Sequence, residues 1–430
     1  MIRFIAADLR RHWIGVLIVM LLIALATALG VSVTLQERAL RLGSARAASA
    51  FDLVIGAAGS ETQLILSSVF LQPAPLPLVP SNVLAELNAD PRVAWAAPVG
   101  FGDFVAGYPI IGTTQAVLDG LSGVAEGESF SHLGDAVIGS SVRREIGDRF
   151  HPFHGTVGGA GHVHDDVEYE VVGRMNPTGT PWDRAILVPI EAVWAVHEHH
   201  DHEEPAPAAS TGETGEDHIH DHGHDHAGHD HAHDHHGPFA ALIDRHAASK
   251  RDNPGVPAIV VKPKSIADAY NLRQQYRRDT TVAVFPGEVL TRLYGTLGDA
   301  RQILSAVSLG AQAVVAASIL LVIAVHVLQR RRQIGALRAF GAPRGVVFTI
   351  VWLEAFAMLA AGVLAGFAIG YAAVRALSSR LAEASGVAMP VEFRGTDLGT
   401  LGLLFAAVAV VTLVPALLAY RQSPAQALRS

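Results

Sequence analysis

RRRQIGALRAFGAPRGVVF, residues 330–348, stands between two long apolar runs. It reads as a short amphipathic helix over Arg331–Phe340. Ile334, Leu337, Ala339 and Phe340 can pack on a surface while the arginines face water or lipid phosphate. Gly341 is suited to cap that helix and Pro343 to stop it. Arg330, Arg331, Arg332, Arg338 and Arg344 crowd one connection, which marks it as the cytoplasmic side of a membrane.

The flanking runs extend this reading outward. Trp13–Val33, Ile303–Leu328 and Leu398–Tyr420 contain no Asp, Glu, Lys or Arg, and Val346–Val374 contains only Glu354. Each reaches the roughly 20 residues needed to cross a bilayer. Four transmembrane helices are therefore expected, at 13–33, 303–328, 346–374 and 398–420. Arg3, Arg10 and Arg11 precede the first, and Arg421 and Arg429 follow the last. Segments 1–12, 329–345 and 421–430 are thus expected in the cytoplasm of a bacterial inner membrane. Residues 34–302 and the connection 375–397 then lie outside, although Arg375, Arg380 and Arg394 dissent weakly. The first span exceeds the roughly 7–15 residues of a signal core and reads as an uncleaved anchor.

Composition agrees with a membrane protein that has a large exterior part: half of the 430 residues are hydrophobic. The net charge of −8 is not spread evenly. Residues 197–236 hold eleven acidic side chains and no Lys or Arg, and without them the rest is near +3. Arginine clusters only beside apolar segments, so nothing points to nucleic acid. With no cysteine in the chain, any metal must be held by His and carboxylates.

The exterior region has the texture of an α/β (α+β) domain. Phe51–Ile55, Val93–Pro98, Val167–Val172, Ala185–Val188 and Ala258–Val261 read as strands, and 81–89, 265–278 and 287–300 as helices. The last runs without proline into the second span and is expected to act as a stiff stalk. QPAPLPLVP at 72–80 and the His/Asp-rich insertion at 197–237 break the composition.

The wording of the opening stretch goes further. Ile334, Gly335, Leu337, Arg338, Ala339, Gly341 and Ala342, after an Arg-rich start, resemble the coupling segment of FtsX/MacB-like ABC transporter permeases. Glu354 resembles the family's acidic residue early in the third span, and Gly362, Gly366 and Gly370 its small-residue stripe. PALLAYRQSPAQALR (415–429) resembles its closing segment, and LRRHW (9–13) its opening. In the exterior part, AVIGSSVRREIGDRF (136–150) and the stretch 167–197 are similar to its MacB-like core domain. FDLVIGAAGSETQLILSSVF (51–70) resembles a narrower, His-rich branch linked to zinc systems.

The resemblance implies a permease that works without an enclosed pore. Two four-span subunits, alike or different, would pair, and each would dock one subunit of a cytoplasmic ATPase dimer. The docking contacts would be Arg331, Arg332, Ile334, Gly335, Leu337, Arg338, Phe340 and Gly341. ATP-driven motion would pass to the periplasmic domain. The chain has no G-x-x-x-x-G-K-[ST] phosphate loop, so hydrolysis is expected in the partner and no enzyme activity or intrinsic cofactor in this chain. Gly362, Gly366 and Gly370 are suited to helix packing, within or between subunits. Glu354 is costly in lipid and is expected to pair, for instance with an arginine of the coupling segment.

Fourteen of the 22 histidines lie in the insertion: His197, His199, His200, His202, His218, His220, His222, His224, His226, His229, His231, His233, His235 and His236. Alternating His and Asp has no hydrophobic periodicity and predicts a disordered tract offering several weak, exchanging sites for Zn2+ or a similar divalent ion. Such binding should collapse below about pH 6 as imidazoles protonate. A second cluster, HPFHGTVGGAGHVHDD at 151–166, places His151 and His154 before a Gly-rich turn and His162 and His164 after it. A hairpin there would gather them, with Asp165 or Asp166 beside them, as an ordered metal site. His12 and His326 read as structural, and His132 and His246 stand alone. These features favour a role in zinc homeostasis, with a periplasmic metal-binding or lipoprotein partner. The alternatives are a lipoprotein-release or peptide/drug export permease with an incidental tract, a membrane-anchored metal buffer, and a periplasmic zinc hydrolase.

Overall fold

The computed structural model describes residues 10–155 other than 12, 161–163, 167–200, 238–244, 253–296 and 341–421, with isolated positions between them. The chain forms two compact units: Arg46–Leu290, and Met1–Ala45 together with Thr291–Ser430. Helix α1 (Trp13–Ser49) leads to β1 (Leu53–Ala57), α2 (Glu61–Ser68), α3 (Ser81–Ala89), β2 (Val93–Val105), β3 (Tyr108–Thr113) and α4 (Gln115–Leu121). Short strands follow: β4 (Val124–Gly127), β5 (Asp135–Ile138), β6 (Arg149–Phe150), β7 (Phe153–Gly155) and β8 (Gly161–Val163). Then come β9 (Tyr169–Met175), β10 (Ile186–Pro189), α5 (Ile190–His200), β11 (Ala258–Pro263), α6 (Ile266–Gln275) and β12 (Thr281–Val284). Helices α7 (286–296), α8 (Arg344–Ser385), α9 (Gly395–Val411) and α10 (Leu413–Arg421) complete the described chain.

In the unit Arg46–Leu290 the strands form one mixed sheet in the order β12-β1-β11-β2-β3-β10-β5-β9-β4. β10 runs parallel to β3, and β5 parallel to β9, while the other pairs are antiparallel. Period-two alternation divides the apolar side chains between two faces. Leu53, Ile55, Ile186, Val188, Ile259 and Val261 belong to one core, and Val54, Leu187, Ala258 and Val260 to the other. A sheet covered on both faces explains why these strands read as nearly continuous apolar runs. Val83, Leu84 and Leu87 of α3, Val193 of α5 and Leu272 of α6 cover the first face. Leu64 and Ile65 of α2 with Val117 and Leu118 of α4 cover the second.

The expected strand Val93–Pro98 is the first half of a longer one. β2 continues to Val105, pairing with β11 through residues 93–99 and with β3 through residues 100–105. The step into β10 is clamped by Asp183, whose carboxylate accepts from Thr178 N–H (2.7 Å), Thr178 Oγ1 (2.8 Å) and Gly179 N–H (2.8 Å). This fixes the entry to α5.

The other unit is apolar on its outside. On α1, Leu17, Leu21, Leu25 and Leu29 recur at helical spacing and are exposed, while Val19, Ile23, Ala24, Ala28, Val31 and Leu35 are buried. An exposed leucine stripe suits lipid rather than water. Among the described residues three helices are long and apolar enough to span a membrane: Trp13–Ser49, Arg344–Ser385 and Gly395–Leu417. The expected span 303–328 falls almost wholly outside the described residues. α1 continues well past Val33, and α8 runs beyond Val374 to the left-handed Gly386 (φ 73°), whose N–H donates to Ala382 O. The helix is interrupted at Thr412, whose hydroxyl donates to Val408 O and Ala409 O (both 2.9 Å). Pro415, lacking an N–H, weakens the helix ladder at the same place.

Candidate metal and coupling sites

The histidine clusters are placed by β2 and the helix above it. α5 lies across β2 and β3 at Gly100 and Gly112. A Cβ on Gly112 would come within 2.5 Å of Val193 Cγ2, and one on Gly100 would strike Ile190 Cδ1. Only glycine lets the helix lie this close to the sheet. Farther along the helix, Val193 and Val196 line a small crevice with Gly102, Asp103, Ile110, Pro152 and Tyr169. Burial in this apolar setting pushes the Tyr169 phenol well above its ordinary value, and the charge of Asp103 adds to the effect. Glu191, in the first turn of α5, is also raised, by burial first and by Asp244 second.

The segment 151–166 supplies a hairpin. β7 pairs with β2 at Phe104↔Phe153 and with β8 at Phe153↔Val163, His154↔His162 and Gly155↔Gly161. His154 and His162 are thus directly opposed in the ladder. His151 lies outside it, exposed, with Nδ1 2.8 Å from Val167 O. His164, Asp165 and Asp166 lie outside the described residues, as do His12, His246, His326 and every tract histidine from His202 onward. His197, His199 and His200 form the last turn of α5, so the helix enters the segment expected to be disordered from 197. His132 is held by Ser131 Oγ at 3.1 Å and Asp135 Oδ2 at 3.4 Å. Among the described residues no group of three or more His, Asp or Glu is gathered tightly enough to hold a metal ion.

On the membrane side, Arg331, Arg332, Ile334, Gly335, Leu337, Arg338 and Phe340 lie outside the described residues. Gly341 is described and has φ 92°, the left-handed conformation suited to ending a helix. Glu354 is buried on α8. The glycine stripe packs within the subunit, against α1. A Cβ on Gly362 would meet Ile23 Cβ at 2.9 Å, one on Gly370 would meet Ala28 O at 2.8 Å, and one on Gly366 would strike Ala24 O.

One polar feature was not anticipated from the sequence. The Arg38 guanidinium grips Asp397 through two hydrogen bonds of 2.9 Å and donates a third, of 2.8 Å, to Glu392 O. Asp397 also accepts the Arg394 N–H at 2.8 Å, a cap at the start of α9. The pair ties α1 to the entry of the last span. Its sequence signal was faint: an Arg beyond the expected first span and an Asp at the edge of the fourth.

Comparison with protein families finds a likeness in this membrane unit. Residues 305–425 match the model of the FtsX-like permease C-terminal domain. That part of the chain is similar to an FtsX-like permease. The match takes in Gly341, Glu354 and all three stripe glycines, while α1, against which the stripe packs, lies before it. Among the described residues the chain also carries the α/β unit Arg46–Leu290 and three helices long and apolar enough to cross a membrane. No curated protein matches this chain.

Proposed function

We propose that the chain is the permease subunit of an ABC complex in which a cytoplasmic ATPase dimer drives two four-span subunits. Motion would pass through helices rather than through a pore. Both termini would be cytoplasmic in a bacterial inner membrane, and Arg46–Leu290 would lie in the periplasm. The family match over 305–425 carries this reading. It is supported by the apolar exterior of α1 and by the close packing of α8 on α1, which lets a displacement of one helix move the other. The segment Arg331–Gly341 would dock the ATPase, with Ile334, Leu337 and Phe340 in its groove and the arginines around them.

The activity would respond to a divalent metal, with zinc homeostasis as the setting. The support is chemical: fourteen imidazoles between 197 and 236 with no basic neighbour, and two more opposed in the β7–β8 ladder. The test is ATP hydrolysis by the permease copurified with its ATPase in lipid nanodiscs, with and without micromolar Zn2+. Leu337→Asp should uncouple the ATPase. Hydrolysis indifferent to zinc, and unchanged on loss of both histidine clusters, would sink the metal-responsive part. Failure of the chain to bind any ABC ATPase would sink the whole.

A further inference from the structure

We infer that the groove between α1 and α9 holds one acyl chain of an outer-leaflet phospholipid. The inference rests on the reading of these helices as membrane spans, and not on the metal response or the ATPase.

The groove has a volume of about 370 Å3, within the roughly 300–1,000 Å3 of small-molecule sites. Two stripes wall it. Ile23, Thr27, Val31 and Leu35 line it from α1, and Thr400, Leu404, Val408 and Val411 from α9. Each series recurs at helical spacing, so each is one face of its helix. Leu359 and Phe367 of α8 supply the floor. Both walls lean on that helix. Ile23, Leu359, Leu404 and Val408 belong to one apolar cluster, and Trp352 Nε1 donates to Ala409 O at 3.2 Å. Ala26, Gly30 and Ala407 also border the gap, and residues this small leave it unfilled.

Length and polarity identify the occupant. From Ile23 to Leu35 α1 advances about 18 Å, close to the roughly 15 Å of hydrocarbon in one leaflet. The two stripes fall in the outer halves of the expected spans 13–33 and 398–420. Polar groups gather at the outer end, where Thr34, Asp397 and Thr400 line the groove. Arg38 closes that end by gripping Asp397 through two hydrogen bonds of 2.9 Å. The inner end, at Leu359 and Val411, is apolar. A slot with a polar mouth and an apolar depth has the polarity of a lipid, headgroup outward and chain inward.

Left unfilled, the slot would forfeit dispersion contacts along its lining, and water would find few partners in its depth. Lipid is the solvent at hand. Leu25 and Leu29 of α1 stand exposed at 67% and 55%. A chain in the groove differs from lipid lying on that leucine stripe. It is bordered by three helices, so it exchanges slowly and stays with the protein through purification. Held there, it fixes the separation of α1 and α9, and any motion that closes the groove must expel it.

The test places the full-length chain in nanodiscs containing phosphatidylethanolamine with a photoactivatable diazirine on its acyl chain. The protein is then washed in detergent and irradiated, and retained lipid and crosslinks are read by mass spectrometry. One retained phospholipid per chain is expected, crosslinked at Thr400 and Ala407 and not at Leu25 or Leu29. A407F fills the groove and should lower retention roughly tenfold, the loss for about two excluded methylenes. A26L fills it from the other wall and should act in the same direction, while L25A should change nothing. Thermal melting would report any unfolded variant. The inference is overturned if no phospholipid is retained, if Leu25 and Leu29 are labelled as heavily, or if both filling variants retain as much as the parent. It also fails if the retained chain is attached to a protein, or if a crosslinker on A407C captures a second copy or residues 303–328 of the same chain. Recovery of the chain in the soluble fraction without detergent would sink the membrane reading itself. An integral chain with an empty groove would sink this inference alone.

Discussion

Glycine makes room in both units, but for different things. Under α5, Gly100 and Gly112 make room for side chains, Ile190 and Val193. Along α8, Gly366 and Gly370 make room for the backbone of α1, at Ala24 and Ala28. In water, burying large side chains supplies the driving force, so the sheet gives up bulk to receive them. In lipid that force is absent, and close backbone approach with its many small contacts takes its place. A clash with a side-chain tip can be relieved by trimming the tip. A clash with a carbonyl cannot.

The largest effect should therefore come from Gly366→Leu, which forces α8 off α1 and should cost about 3 kcal/mol or more. A Cys pair placed on the two helices should lose its crosslink, and trimming Thr27 or Ile23 should not restore it. Recovery by such trimming would break the contrast. The polar version of the comparison comes next. Arg38 and Asp397 are largely withdrawn from solvent, whereas Arg149, paired with Glu168 and Glu170, is exposed. Arg38→Ala strands the carboxylate and should cost about 3 kcal/mol, against less than about 1 kcal/mol for Arg149→Ala, read from melting in detergent. Gly112→Ala should cost about 2 kcal/mol, and adding Val193→Ala should return much of it. The smallest effect is pH-dependent. Burial raises the Glu191 pKa in the folded state, so the folded protein holds a proton longer than the unfolded chain does. Stability contributed by the protonated form is then lost as pH rises through the folded value. Glu191→Gln should raise Tm at neutral pH, with the gain vanishing near pH 4, at the ordinary glutamate value. An equal gain at both would remove burial as the cause.

Much of the architecture was legible because lipid and core impose long, uniform patterns. Three of the four charge-free runs coincide with long apolar helices among the described residues, and β1, β10 and β11 appeared as short apolar runs close to their observed limits. The extension of α1 to Ser49 was not legible. Glu37, Arg38 and Arg41 end the apolar run while the helix continues. β2 was cut short at Pro98 because Gly100 and Gly102 look like strand breakers. Gly100 is there for Ile190 of the helix above and Gly102 for Ile110 of the neighbouring strand, tertiary causes that no local pattern contains. The same holds for the histidines. Their spacing about a Gly-rich turn announced the hairpin, and the β7–β8 register pairs two of them. Nothing local announced that Val193 and Val196 of α5 line one crevice with Pro152, at the start of that hairpin.

The pairing of β1 has a consequence for how the protein is made. Val54 lies between Val260 and Val284, strands that emerge from the ribosome more than two hundred residues later. The first strand must wait, unpaired, until nearly the whole unit Arg46–Leu290 has been synthesised. Pairings this remote form slowly, so a tether that holds the early strand close while the rest arrives shortens the search. α1, continuous to Ser49 and only three residues from β1, is suited to be such a tether. The long histidine insertion adds little to the wait, because closing a loop twice as long costs only about 0.6 kcal/mol more. Its length is nearly free to vary during evolution, whereas the anchor before β1 is not.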